Sequence, residues 1–227
     1  MQSAQNMSTH VHQLNEACRV LGLTPTDIQQ KQILEYLSQL LRWNKTYNLT
    51  AIRDADQALI QHIFDSLSIV PILEKQRKKQ QNKDLRLLDV GSGAGLPGIV
   101  IAIMVPEIKV TCVDTVEKKM TFVRQMGGVL KINNLEALHG RVENMSRVEY
   151  DIVTSRAFAS LSDFANLAGQ QVVKDGYLLA MKGKEPKEEI KELETKTKWL
   201  VETVQTLTVP QLNAQRCLVW MKRRETQ

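Results

Sequence analysis

Before residue 80 the apolar positions recur at three- and four-residue intervals; from Leu85 onward they gather into short runs separated by helical stretches. The first pattern predicts helices. Thr26-Asp-Ile-Gln29, with Pro25 just ahead of it, has the form of a capping box, in which threonine and glutamine side chains satisfy each other's backbone amides. Behind it Ile33, Leu37, Leu40 and Leu41 share one helical face. A second helix is expected from Ala55 to Leu73, with Leu59, Ile60, Ile63, Leu67 and Val70 turned inward. Each helix carries a single apolar stripe, so the region must pack against something else.

The later runs read as strands at Leu85–Val90, Val110–Asp114, Leu135–His139, Asp151–Thr154 and Tyr177–Met181. Helical stretches such as Lys118–Leu130 and Leu161–Val173 lie between them. Such alternation implies right-handed crossovers and a parallel sheet. The end of the chain departs from this rule. A charged helix at Pro186–Lys198 leads into Leu200–Thr208 and Arg216–Lys222, two β-rich runs joined by a short connection containing Pro210. They have the look of a hairpin. The expected fold is α/β: a seven-stranded, mostly parallel sheet with an antiparallel C-terminal edge, in residues 83–227, behind an N-terminal helical extension in residues 1–82.

After the first strand comes Leu87-Leu-Asp-Val-Gly91-Ser-Gly93-Ala-Gly95-Leu-Pro-Gly98, which opens a helix. Glycines there let the backbone turn sharply and let a ligand approach. Asp114 ends the second strand about 20 residues on, where a carboxylate accepts ribose hydroxyls. Two ligands fit. Gly93, Gly95 and Gly98 satisfy dinucleotide spacing, which keeps a nicotinamide-dependent oxidoreductase as the alternative. Asp89, two residues before the first glycine, is characteristic instead of the methyltransferase form of the turn, where an acid attracts the ammonium of S-adenosylmethionine. The hairpin edge favours the same reading.

Composition sets bounds. A chain of 227 residues that is 43% hydrophobic can bury a sizeable core. No stretch approaches the roughly 20 apolar residues that span a bilayer, and the start lacks the apolar core of a signal peptide, so a cytoplasmic location is expected. The formal net charge of +5 lends nucleic-acid binding modest support. Cys18, Cys112 and Cys217 are far apart, which argues against a disulfide framework or a zinc site; each reads as a small core residue. His10 and His12 lie on a polar terminus expected to be disordered, and no metal is expected.

An ordered set of segments then narrows the assignment: Trp43-Asn-Lys-Thr-Tyr-Asn-Leu-Thr50, His62-Ile-Phe-Asp-Ser-Leu67, Asp89 to Gly98, Gly140-Arg-Val-Glu143, Ser155-Arg-Ala-Phe158 and Met181-Lys-Gly183. With these the sequence resembles the RsmG (GidB) family, which methylates N7 of a guanine in 16S rRNA. The resemblance implies a Rossmann-like class I methyltransferase that takes S-adenosylmethionine as cofactor and 16S rRNA or the small ribosomal subunit as partner. It places cofactor contacts on Gly91, Leu96, Val142, Glu143 and Arg156; the glycine turn itself adds Gly93 and Asp114. Arg156 is either a substrate orienter or a structural ion pair.

Missing motifs agree with that chemistry. No cysteine is placed for attack through pyrimidine C5, and Thr154-Ser-Arg-Ala-Phe158 stands where amino-group enzymes carry Asn/Asp-Pro-Pro-aromatic. Guanine N7 has a free lone pair and no proton, so no general base is expected. RNA contacts are expected at Lys45, Asn48, Arg77, Lys78 and Lys79, while Trp43 and Tyr47 read as packing residues. A third possibility is an RNA-binding module without activity.

Overall fold

The computed structural model describes residues 2–79, 84–156 and 158–224, with backbone alone for residues 2–7. The expected division between residues 82 and 83 lies outside the described residues. Parallel strands β1 (Arg86–Val90), β2 (Lys109–Asp114), β3 (Leu135–His139), β4 (Tyr150–Ser155) and β5 (Val172–Lys182) are followed by β6 (Trp199–Thr206) and β7 (Cys217–Arg223). Their order across the sheet is β3-β2-β1-β4-β5-β7-β6, with β7 antiparallel to both its neighbours. This is the expected seven-stranded sheet with its antiparallel edge.

Alternation along the strands separates two cores, because successive side chains point to opposite faces. Leu88, Val90, Val153, Leu178 and Val219 face helices α8 (Leu161–Ala168) and α9 (Lys187–Lys196). Leu87, Cys112, Ile152, Leu179 and Leu218 face the other way. There they join α6 (Gly98–Met104), α7 (Glu117–Val129) and the N-terminal helices α1 (Gln2–Leu21) and α2 (Asp27–Tyr47) in one cluster running from Leu14 to Trp220. The single stripes of the N-terminal helices are thus covered by the sheet domain.

Polar contacts fix where α2 sits. Both capping-box bonds form, Gln29 N–H to Thr26 Oγ1 at 3.2 Å and Thr26 N–H to Gln29 Oε1 at 2.9 Å. The amide of Gln29 also donates to the carbonyls of Ile103 and Met104, and Gln32 donates to that of Leu130. Carbonyls at helix ends that lack an intrahelical partner are satisfied this way. Further along, the buried Tyr36 hydroxyl donates to Ala94 O at 2.9 Å and so braces the glycine turn. Trp43 packs edge-on against Phe122, with centroids 5.4 Å apart.

Three expectations are corrected. The single helix from Ala55 to Leu73 is instead α3 (Ala55–Ala58), a π-helical turn at Leu59–Phe64, α4 (Asp65–Leu67) and, after a turn, α5 (Val70–Lys79). Pro71 accounts for the last break, since proline has no N–H to give the preceding turn and suits the start of a helix. The helix expected over Leu161–Val173 stops at Ala168 and passes through a 3-10 turn, and Val172 begins β5. At Gly169 the Trp199 ring lies 2.9 Å from where a Cβ would sit, and β-branched Val172 and Val173 favour extended backbone. His10 and His12 belong to α1, where His10 Nε2 lies 3.0 Å from Asp56 Oδ1. That terminus is a helix.

Candidate active site at the carboxyl ends of the strands

Crossovers in a parallel sheet leave a crevice at the carboxyl ends of the strands where the order reverses, here between β1 and β4. The glycine turn that leaves β1 forms its floor. Gly91, Gly93 and Gly95 adopt φ of 65°, 59° and 91°, values that glycine reaches at no steric cost. Internal bonds hold the shape. Gly91 N–H donates to Val113 O at 2.8 Å, Gly93 N–H to Asp114 Oδ2 at 2.8 Å, and Gly98 N–H to Asp89 Oδ2 at 2.8 Å. A Cβ on Gly98 would lie 2.4 Å from Cys112 Sγ, so α6 and β2 touch here without space for a side chain.

Two clefts open on either side of Gly91. One, of about 400 Å³, is lined by Asp114, Val142, Glu143 and Phe158. Asp114 is 8% exposed, and its other oxygen, Oδ1, accepts Val116 N–H at 2.9 Å. Each oxygen keeps a second lone pair for a ligand. Val142 is buried in a 3-10 turn, with its carbonyl and that of Glu143 accepting from Gln171 and Gln170. Phe158 stacks on Phe164 with centroids 5.0 Å apart. The other cleft, of about 550 Å³, is lined by Gly93, Leu96, Thr50, His62, Asp65, Arg156, Lys182 and Arg216. All seven expected cofactor residues therefore line one or other of these two clefts, which share Gly91.

The wall of the second lobe comes from the N-terminal helices. Asp65, 5% exposed, receives Arg156 Nη1 on Oδ2 at 2.8 Å and Arg216 Nε on Oδ1 at 2.9 Å. Arg156 thus forms the structural ion pair and lines the cavity as well. Beside it, His62 Nε2 lies 2.8 Å from Thr50 Oγ1, and its Nδ1 is buried without a partner among the described residues. Burial and the nearby Arg156 charge push His62 down to about 4, so its imidazole is neutral at physiological pH. Asn44 braces the loop that carries Thr50, accepting Thr50 N–H and donating to Ile52 O. Lys182 pairs with Glu189 at 2.8 Å and donates to the carbonyls of Phe158 and Ala159, tying down the segment that follows β4.

Asp89 lies fully buried beneath the turn, with Oδ1 unpartnered among the described residues; burial pushes its carboxyl up to about 7. The thiols of Cys18, Cys112 and Cys217 are buried and shifted up by desolvation. They are core residues, as expected.

The expected RNA contacts lie outside both lobes. Lys45 is exposed on the last turn of α2. Asn48 is the left-handed cap of that helix, and its side chain accepts from Arg53. Within α5 the basic run divides: Arg77 turns towards Glu107, at 3.7 Å, whereas Lys79 lines a separate groove with Lys75, Tyr177 and Trp220. Lys78 is exposed.

Asp65 and Arg216 carried no role in the sequence reading. The signal for Asp65 was a carboxylate amid the apolar positions Ile63, Phe64 and Leu67; Arg216 left none.

Known proteins share this sequence pattern and this fold. Residues 29–219 match the GidB family, described as rRNA small subunit methyltransferase G. A ribosomal RNA small subunit methyltransferase G from Bordetella avium is 54% identical over 210 residues, which cover 92% of each chain. Its counterpart from Methylibium petroleiphilum is 47% identical, with 93% of each chain covered. Among solved structures, a SAM-dependent methyltransferase from Aquifex aeolicus matches with a TM-score of 0.53 at 18% identity, over 82% of this chain and 97% of that one. The mitomycin 7-O-methyltransferase MmcR matches at 0.57 and 12% identity, over 82% and 60%. These two establish the fold, and the family match establishes the kinship: the chain belongs to the GidB family of rRNA small subunit methyltransferases.

Proposed function

We propose that this protein transfers a methyl group from S-adenosylmethionine to N7 of a guanine in 16S rRNA, in the cytoplasm where small ribosomal subunits assemble. The pair of neighbouring clefts that share Gly91 carries this reading. The lobe with Asp114, Val142 and Glu143 suits the nucleoside of the cofactor: a carboxylate for the ribose hydroxyls, an apolar floor and an acceptor for the adenine amine. The unpartnered Oδ1 of buried Asp89 suits its ammonium, directly or through a water. When bound, the cofactor supplies an electrophilic methyl on a sulfonium, and Gly91 lies where the two lobes meet.

The second lobe then receives the guanine. Its ionisable groups suit a reaction in which no proton is removed. Asp65 is engaged by two arginines, and His62, with its pKa near 4, is a weak base. A ring nitrogen with a free lone pair needs neither. The residues act by positioning and by excluding water, which contribute on the order of 7–11 kcal/mol to such barriers. N7 lies on the groove edge that paired RNA keeps deep and narrow, so the target guanine enters unpaired or flipped out. Lys45, Asn48, Arg77, Lys78 and Lys79 are the expected contacts on the flanking RNA, with Arg77 also 3.7 Å from Glu107.

Mapping methylated nucleotides in 16S rRNA from a strain lacking the gene against its parent tests this directly. Loss of one 7-methylguanine is the expected result. An unchanged map, or tight NADH binding by the purified protein, would overturn the assignment. With the cofactor saturating, so that ionisation of Asp89 does not limit its binding, a single-turnover rate that stays flat from mildly acidic to mildly basic pH is expected as well, because no ionisation gates the attack.

A further inference from the structure

Resting on the proposed rRNA substrate, we infer that Arg216, held beside Arg156 by the shared carboxylate of Asp65, forms a phosphate-binding site for the RNA strand that delivers the target base.

The argument begins with charge. One carboxylate faces two guanidiniums at 2.8 and 2.9 Å, and neither arginine pairs with another acid among the described residues. Among the described residues the only other cation lining this lobe, Lys182, is balanced by Glu189. His62 is neutral. The groups lining the lobe therefore carry one positive charge in excess, and the cofactor's own net charge, met by Asp89 in the proposed reading, leaves that excess in place. A site that concentrates positive charge to this degree calls for an anion, and the substrate's phosphodiesters are the anions at hand.

Geometry supports the same assignment. A guanidinium carries five N–H donors in a planar fork. Arg216 gives Nε to Asp65 and Nη1 to Gln215 O, and it keeps 27% of its side chain exposed on the cavity. Asp65 is nine-tenths buried and sits behind both arginines, fixing their planes. Orientation of this kind is what bidentate phosphate recognition requires. A fold-stapling role alone would be met by one arginine, since a second partly exposed guanidinium on the same carboxylate adds desolvation for little attraction. Arg216 stands at the base of the hairpin, where its carbonyl accepts Leu207 N–H at 2.8 Å, so the fork rests on sheet rather than on a free loop. Asp65 is the positioning residue, and Arg216 touches the RNA.

The test measures RNA affinity across a salt series, with full-length protein and 16S rRNA from a strain lacking the gene, alongside cofactor affinity by calorimetry. Arg216→Ala should weaken RNA binding about tenfold or more, the size of one lost charge-assisted contact. It should also lower the slope of log affinity against log salt by about one. Cofactor affinity should change less than about twofold. Arg216→Lys, which keeps the charge, should recover the slope but only part of the affinity, because a lysine cannot make the fork contact. Should Arg216→Ala fold poorly, Arg216→Gln retains a donor at the Nε position for Asp65 while removing the charge and the rest of the fork. Unchanged RNA affinity and slope would overturn the assignment. So would weaker binding at an unchanged slope, which places Arg216 on a neutral base edge, or a matching loss of cofactor affinity, which reports collapse of the cavity. Because binding is read without methyl transfer, failure of the proposed reaction and failure of this site give different results.

Discussion

The lobe beside Asp114 and the lobe beside Asp65 share Gly91, yet they are assembled on different sequence scales. Around Asp114 the decisive bonds are short in sequence. Gly98 is nine residues from Asp89, Val116 two from Asp114, and Gly93 21 from Asp114. Around Asp65 they span 91 residues to Arg156 and 151 to Arg216. In the proposed reading the nucleoside side is set largely within the strand–turn–helix unit that carries the glycines. The substrate side exists only when the N-terminal helices, β4 and the returning hairpin meet. In the proposed reading the cofactor is met by a local device, and the base by groups that converge from three distant parts of the chain.

The largest effect expected from that difference is at Asp65. Asp65→Asn leaves two buried-edge guanidiniums without a carboxylate, and breaking a buried ion pair from one side costs about 3–5 kcal/mol. Urea unfolding should show a loss of that order, and thermal unfolding a clear drop in midpoint. Replacing the arginines one at a time should cost less, because Asp65 keeps one partner in either case. A loss under about 1 kcal/mol for Asp65→Asn would mean that the two regions dock through apolar contacts alone.

A second effect, nearly as large, contrasts two buried titrating groups with opposite signs. His62 is pushed from 6.5 down to about 4. Its neutral form is favoured in the fold, so the contribution is complete above pH 6.5 and is lost as pH falls towards 4. Asp89 is pushed from 3.8 up to about 7. Its contribution is complete below pH 3.8 and is lost as pH rises towards 7. Each shift corresponds to roughly 3–4 kcal/mol, and between pH 4 and 6.5 they oppose each other. Unfolding of the wild type should therefore vary little with pH on their account. His62→Gln should become less stable as pH rises over that window, and Asp89→Asn more stable. Parallel pH curves for all three proteins would sink the contrast. Asn at position 89 can still accept Gly98 N–H, so the turn is retained in that variant.

What the sequence disclosed follows the same division. Strands, the glycine turn, Asp114 and the hairpin edge were legible because each depends on residues within one supersecondary unit. The break between Ala55 and Leu73 was not, since a π turn keeps apolar residues near helical spacing; Pro71 was the one available sign. Arg77, Lys78 and Lys79 form a continuous basic run in the sequence, yet helical geometry sends Arg77 to Glu107 and Lys79 into the groove with Lys75. The segment containing His62 and Asp65 was visible as part of a family pattern, but its partner Arg216 is an ordinary residue of a hairpin with no motif around it. Pairing across 151 residues leaves no periodic trace.

The smallest expected effect tests whether a locally legible device stays local. Thr26→Ala removes one half of the capping box and should cost about 1 kcal/mol, the usual value for an N-cap. Gln29 was identified as the other half of that box, but its amide nitrogen also donates to Ile103 O at 2.8 Å and Met104 O at 3.2 Å, 74 and 75 residues away. Gln29→Ala therefore removes a cap bond and also leaves two carbonyls at the end of α6 without this donor. It should cost clearly more than Thr26→Ala, by roughly the 1–3 kcal/mol of unsatisfied buried groups. If the box acts only on its own helix, the two single changes should cost about the same, since each removes one of the two cap bonds. If Gln29 also docks α2 against α6, the Gln29 cost should persist nearly in full in the Thr26→Ala background. Urea unfolding of the four proteins at one pH gives the coupling term directly. Equal costs for the two single variants would return Gln29 to a purely local role.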